Sequence, residues 1–581
     1  MISASFANKT GSLRAARFCF GLALLLFLLS AKAQVLQPEG ASGFTLHPSA
    51  AGTRHMAATA NSQATDAALE ILQLGGNALD AAIAAQWVLN LVEPQSSGIG
   101  GGGFLLHWNA GSRSLSAWDG RETAPRAIAA DFGRRADGSP VPFMDILATG
   151  KAVGVPGLVA TLEAAHRKFG KLKWARLLAP AIRLAENGFP VSPRLHLLLR
   201  EDPLLRRDAA ALALYYETDG EARAVGVLLR NRELAAALRR IADEGSAAIH
   251  RGEIAARIVA AVELRGGHLG LDELRDYRPR EREPVCGSYR RWRICGMPPP
   301  SSGGIAVLQI LGVLERSGLP VGSPERPEAI HFFAEAGRLA YADRARYLAD
   351  PDFVAVPTAE LLAPAYLQKR AGLVDRGKTM GIAPPGDVGA RNALGDGDSA
   401  ELPATTHVSV VDQEGNAVAL TSSIESVFGS RIQVDGFLLN NQLTDFSLGG
   451  RPAANGAEPG KRPMSSMSPT LVFDAQGRLH AVLGSPGGSR IINYVARTLQ
   501  AVLDGRMEAA AALSLGHVGN RNGVTEVERG RVSLDLVRDL EARGHVVQTL
   551  DMTSGLHLIV RRDGRWIGAA DPRREGAARG E

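Results

Sequence analysis

The sequence predicts a mixed α/β protein in which helices cover sheets, not a doubly wound parallel fold. Three observations carry this. Helical periodicity fills Gln63–Leu74, Ala78–Val92 and most of 157–274. Alternating strand patterns dominate beyond residue 404. Helices and strands are grouped along the chain instead of alternating one for one.

At the N-terminus, Lys9, Arg14 and Arg17 precede the apolar run Phe18–Leu29, and Ala31-Lys32-Ala33 offers a small-residue cleavage site before Gln34. This is the layout of a secretory signal peptide over residues 1–33; an uncleaved membrane anchor is the competing reading. No later stretch reaches the roughly 18 apolar residues a spanning helix needs. The expected mature protein is exported, periplasmic or secreted, and free of the membrane once the signal is removed. The 581 residues are 45% hydrophobic and 22% charged with a net charge of +5, an ordinary globular balance. No block of like charge suggests a nucleic-acid partner.

Gly75-Gly76-Asn77 separates the first two helices. Gly98, Gly100, Gly101, Gly102 and Gly103 then precede the strand Phe104–Trp108. A dinucleotide loop needs strand, glycines, helix; here the order is helix, glycines, strand, so no nucleotide cofactor is expected. The glycines suit a close approach of backbone instead. Strand-like Ser114–Trp118 runs into Asp119–Pro125. In the helical stretch Ile254, Ile258 and Val262 form one apolar stripe, ended by Gly266-Gly267.

Cys19 leaves with the signal. Cys286 and Cys295 face each other if Arg290-Arg291 form a two-residue turn, and an oxidising compartment permits a disulfide. Arg-Arg is a poor former of that turn, so bridged and free states both stay open. No Cys/His spacing fits a metal site, and no cofactor of any kind is expected. Helices follow over Ile305–Glu315 and Glu328–Leu348. Residues 384–404 turn to Gly, Pro, Asp and Asn, an exposed flexible linker suited to a chain cut. Strands are expected over 405–412, 416–423, 432–439, 470–474 and 479–484, and a helix over Tyr494–Leu503.

The linker ends at Ala404-Thr405-Thr406-His407, where a strand begins. A cut after Ala404 makes Thr405 a chain terminus whose α-amine titrates near roughly 7.7–8.0 and serves as base for its own hydroxyl. Asp412–Asn416 reads as a three-residue hairpin loop closed by Gly415. Pairing Asp412 with Asn416 sets Thr405 opposite Ser423, with Glu425 one pair further on the same face. An ordinary Thr-rich hairpin is the competing reading.

Further signatures follow in order: Asn440–Phe446, Arg462–Thr470 and Gly484–Arg490, with Pro298–Gly304 and Gly100–Phe104 upstream. Together with Thr405-Thr406-His407 they resemble the gamma-glutamyltranspeptidase family, the glutathione hydrolases, from about residue 55 to 573. The resemblance implies a four-layer αββα sandwich of the N-terminal nucleophile hydrolase type, built from two chains cut from one precursor. These are a large subunit, 34–404, and a small one, 405–581, held together as a heterodimer. It implies that Thr405 is the nucleophile, oriented by Ser423, with Gly487 and Gly488 as the oxyanion hole. Arg121, Ser465 and Ser466 would take the donor's α-carboxylate, and Gln442 and Asp445 its ammonium. The donor is then a γ-glutamyl compound such as glutathione, and the acceptor water, an amino acid or a peptide.

Glu425 departs from the Asn of better-known members, and a carboxylate there still suits an amine. The Phe446–Met464 segment is short and lacks Tyr, so an open site favouring hydrolysis or larger amides is expected. The alternatives are an acylase of glutaryl-type or poly-γ-glutamyl amides, and an uncut exported binding protein.

Overall fold

The hairpin before and after Gly415 organises the structure. Thr406–Val411 pairs antiparallel with Ala417–Ser423, Thr406 facing Ser422 and Val411 facing Ala417. The loop is closed by Asp412 N–H to Asn416 O at 3.0 Å, with Gly415 at φ +83°. Alternation then sorts the side chains. Val408, Val410, Val418 and Leu420 enter one buried cluster with Ala67, Ile71, Ile83 and Trp87. Val411, Ala417 and Ala419 enter a second with Leu471, Val472, Ile492 and Leu499.

The computed structural model describes residues 42–581 except 130, 136, 390–394, 398, 400 and 449–452. The expected signal peptide lies outside the described residues, as does part of the short Phe446–Met464 segment. The fold is mixed α/β with two seven-stranded sheets. One sheet, in spatial order, is Ala577–Gly580, Met56–Thr59, Thr406–Val411, Ala417–Ser423, Gly102–Asn109, Ser114–Asp119 and Arg280–Arg282. The other is Ala50–Gly52, Arg565–Ala570, His557–Arg562, Leu479–Gly484, Thr470–Phe473, Trp292–Gly296 and Val285–Tyr289. Every pairing within both is antiparallel. Side chains of the two sheets meet: the Trp108 and Phe473 rings lie 4.7 Å apart, and Ser409 Oγ donates to His557 O at 3.3 Å.

Helix Ala78–Val92 begins where it does because Asn77 and Asp80 form a reciprocal capping box, with bonds of 3.0 and 3.2 Å. The glycine run serves close approach. A side chain on Gly101 would come within 2.2 Å of Ser423 O, so the strand carrying Ser423 packs backbone against backbone there.

Two expectations are corrected. The single strand over 432–439 is two short ones, Gln433–Val434 and Phe437–Leu438, because Asp435 (φ +46°) and Gly436 (φ +77°) make a primed turn. The linker is not exposed throughout: Glu401, Pro403 and Ala404 are buried.

Cys286 pairs in register with Cys295, with Cα atoms 4.1 Å apart, and the two sulfurs are bonded. Arg290 makes the tight turn at φ +55°. In the chain-entropy account a loop this short contributes about 2–3 kcal/mol. The double variant Cys286→Ser, Cys295→Ser is expected to melt earlier than the parent and to be insensitive to reductant. Equal melting of the two would remove the bridge from the stability account.

Candidate active site

Thr405 stands just ahead of the strand Thr406–Val411, buried, opposite Ser423. Its Oγ1 contacts Ala404 O and donates to Ser423 Oγ at 3.2 Å. Ser423 Oγ donates to Ala404 O at 2.7 Å and accepts from Glu425 N–H at 2.9 Å. Ser423 has one proton to give, and it points at the carbonyl of the Ala404–Thr405 bond. The arrangement polarises that carbonyl while drawing on the Thr405 hydroxyl. Arg574 Nη1 holds the other side, donating to Thr405 O at 3.0 Å.

Among the described residues no histidine is hydrogen-bonded to Thr405 Oγ1. His407, two residues on and on the same strand face, has Nδ1 at 2.8 Å from Thr421 Oγ1 and Nε2 at 3.0 Å from Ser409 Oγ. Burial drives its pKa well below the usual value, so it stays neutral and committed to the core.

The residues just before the Ala404–Thr405 bond are gripped by side chains of the site. Leu402 N–H donates to Glu425 Oε1 at 2.7 Å, and Asn441 Nδ2 donates to Glu425 Oε2 at 2.5 Å. Glu401 pairs with Arg344 and accepts from Ser466 N–H at 2.9 Å and Ser466 Oγ at 3.0 Å. Gly487 (φ +136°) and Gly488 (φ +57°) pass beneath: a side chain on Gly488 would meet the Glu401 and Leu402 carbonyls at 2.8 Å. Ser465 lies one step away, its carbonyl accepting from Ser302 N–H and Oγ, both at 2.7 Å.

Arg121 and Asp445 form a buried ion pair at 2.5 Å. Arg121 Nε donates to Pro463 O at 3.0 Å and Nη2 to Met464 O at 2.9 Å. Nη1 is left 3.8 Å from Glu122. Gln442 Nε2 donates to Asp445 Oδ2 at 2.8 Å, fixing the turn Gln442–Asp445. Asp445 Oδ1 and Gln442 Oε1 are buried without a partner among the described residues. Burial, opposed by Arg121, raises the Asp445 carboxyl to about 6. Burial and the neighbouring Asp445 hold Glu425 well above the usual range.

Glu122 is fully buried, its carboxylate has no hydrogen-bond partner on another of the described residues, and burial pushes it up to about 8. An unfolded glutamate titrates near 4.5. Between those values the folded chain keeps a proton that the unfolded chain has lost. The stability associated with this proton is complete at low pH, falls as pH rises through the window, and levels off above about 8. Glu122→Gln cannot ionise, so its melting temperature relative to the parent is expected to climb between pH 5 and 8. A constant difference would mean that Glu122 ionises normally.

The candidate residues thus gather in two groups: Thr405, Ser423, Glu425, Ser466 and Gly488 around residues 401–405, and Arg121, Gln442 and Asp445 around one ion pair. Sequence reasoning missed Arg344, Glu401, Asn441, Arg574 and Glu122. Only Glu401 carried a local signal, the last charge before the expected cut. The structure also gathers His331, Glu335 and His545, whose ligand-type atoms lie within 4.8 Å of one another. Their polar atoms are already engaged: His331 Nδ1 lies 2.8 Å from His545 Nε2, and Glu335 Oε1 accepts from Arg338 Nε at 2.8 Å and from Thr379 Oγ1 at 2.7 Å.

The gamma-glutamyltranspeptidase family model matches residues 64–581. The chain belongs to the gamma-glutamyltranspeptidase family. Family membership makes it an enzyme of γ-glutamyl hydrolysis and transfer of the autoprocessed, N-terminal nucleophile kind. It is 35% identical over 545 residues to a glutathione hydrolase proenzyme of Bacillus subtilis (strain 168), covering 91% of this chain and 92% of the relative. An acylase ACY 1 proenzyme of Pseudomonas sp. (strain V22) is 35% identical over 540 residues, 91% of this chain and 93% of the relative. Among solved structures, a cephalosporin acylase from Bacillus halodurans superposes with a TM-score of 0.81 at 26% identity, covering 94% of this chain and 99% of that one.

Proposed function

We propose that this gamma-glutamyltranspeptidase cuts itself between Ala404 and Thr405 and then cleaves the γ-glutamyl bond of glutathione and related donors. The observation that carries the reading is the contact of Thr405 Oγ1 with both Ser423 Oγ and the Ala404 carbonyl. Thr405 Oγ attacks the Ala404 carbonyl carbon, and its proton passes to the Thr405 nitrogen as the C–N bond breaks. Water hydrolyses the resulting ester, leaving a carboxyl on Ala404 and a free amine on Thr405. The products are a large subunit ending at Ala404 and a small one starting at Thr405, packed as a four-layer αββα sandwich. Export to the periplasm or medium, after loss of residues 1–33, fits the leader and the disulfide. Among the described residues no helix is long and apolar enough to cross a membrane.

In turnover the amine of Thr405 takes the proton of its hydroxyl, which attacks the donor's γ-carbonyl. Gly487 and Gly488 receive the oxyanion, the leaving amine departs protonated, and water or an acceptor amine resolves the γ-glutamyl ester. Asp445 Oδ1 and Gln442 Oε1, both buried acceptors without partners among the described residues, suit an ammonium. Arg121 Nη1, Ser465 and Ser466 suit the carboxylate. Glu425, released from Leu402, adds an acceptor near the amine.

The acylase relatives favour one second reading, action on glutaryl-type or poly-γ-glutamyl amides. The test is terminal sequencing of the purified protein, with turnover of glutathione and of γ-glutamyl, glutaryl and poly-γ-glutamyl amides, each with and without an acceptor dipeptide. A small fragment beginning at Thr405 and preference for γ-glutamyl donors are expected. Preference for glutaryl amides would move the protein to the second reading, and a single uncut chain would overturn both.

A further inference from the structure

Arg344 lies on the long helix Pro327–Tyr347, buried, with Nε donating to Ser302 Oγ at 2.9 Å and Nη2 to Ser466 Oγ at 3.1 Å. Its ion-pair partner among the described residues is Glu401. That partner is the fourth residue before the scissile bond, on the segment that the cut sets free. The Glu401 carboxylate is held by a guanidinium, a backbone N–H and a hydroxyl, and its charge is felt by Arg121, Asp445 and Glu425. It therefore stands at the meeting point of the two groups of site residues.

Departure of residues 401–404 would leave a buried guanidinium without its counter-charge, which is strongly unfavourable unless another anion arrives. We propose that Arg344 is a specificity-determining ligand of the donor's carboxylate, and that Glu401 fills its place only until the chain is cut. The proposal rests on the γ-glutamyl reading above and adds to it a second arginine, facing the donor from the side of Ser302 and Ser466. Arg121, tied to Asp445, Pro463 and Met464, offers only Nη1, whereas Arg344 gains a free face at the moment the site opens.

The experiment compares the parent with Arg344→Gln and Arg344→Lys, with rates expressed per cut molecule from a denaturing gel. Two donors are used: γ-glutamyl-p-nitroanilide, and 4-aminobutyryl-p-nitroanilide, which differs only in lacking the α-carboxylate. Loss of a charge-assisted bond in Arg344→Gln should raise KM for the first about 10- to 100-fold while changing kcat/KM for the second by less than about 2-fold. Arg344→Lys should fall between parent and Arg344→Gln. Equal effects on both donors, or none on either, would overturn the proposal. So would a block of cutting in both variants, which would make Arg344 a residue of the fold. Failure of the γ-glutamyl reading would show differently, as a parent that turns over neither anilide. Calorimetry with glutarate then decides Arg344 alone: weaker binding to cut Arg344→Gln than to the cut parent supports the subsite, and equal binding overturns it.

Discussion

Thr405→Ala is expected to run as a single band on a denaturing gel and to lose γ-glutamyl turnover by on the order of 10⁴-fold or more. Both losses have one cause in the proposed mechanism, where the hydroxyl that attacks Ala404 in the precursor is the one that attacks the donor later. The surrounding contacts should survive. Ser423 can still donate to Ala404 O, and the strand pairing of Thr406 with Ser422 does not involve the Thr405 side chain. The variant should therefore fold and melt close to the uncut parent. Thr405→Ser, which keeps a hydroxyl, should still cut. Cleavage of Thr405→Ala at the same bond would assign the cut to an outside protease.

Asp445→Ala should have the second largest effect, and on two observables. Removing one member of a buried ion pair leaves Arg121 uncompensated, at a cost of about 3–5 kcal/mol before relaxation. Glu122 moderates that cost. It is 3.8 Å from Arg121, and the Asp445 charge is one of the influences holding its pKa up, so loss of Asp445 lets Glu122 ionise at lower pH. For turnover, loss of the carboxylate that pairs with Arg121 and is aimed at the donor's ammonium should lower kcat/KM for γ-glutamyl amides about 100-fold. Glutaryl amides, which have no ammonium, should keep their rate only if the second reading holds. Asp445→Asn separates the observables, since it retains the shape and a carbonyl acceptor while removing the charge. Melting curves and the amide panel, on the same preparations, check both.

The hairpin was legible because its information is local. Gly415 specifies the loop, the loop fixes the register, and the register carries Ser423 to Thr405 without knowledge of the rest of the chain. Helices such as Ala78–Val92 were legible for the same reason, through period and cap. The broken strand at 432–439 was missed although Asp435-Gly436 is itself a primed-turn signal, because apolar residues on both sides masked it. What sequence could not show was which distant charges converge. Arg344 sits on a helix among other charged residues, 57 positions from Glu401, and no periodicity marks its direction. The linker composition read as exposure, yet burial of its last residues depends on pockets formed by segments far along the chain. The pairing of Arg121 with Asp445, 324 residues apart, was likewise beyond local pattern.

The order of strands around Thr405 has a consequence for handling the enzyme under the proposed cut after Ala404. Met56–Thr59, from before the cut, lies between Ala577–Gly580 and Thr406–Val411, both from after it, and Gly102–Asn109 flanks Ala417–Ser423 on the other side. The two products of the proposed cut would be woven through one hydrogen-bonded surface, not docked across a seam. Dilution should not part them, and mixing two processed preparations should not swap their fragments. Whatever frees either fragment must first unravel the sheet, so separation and denaturation become a single event.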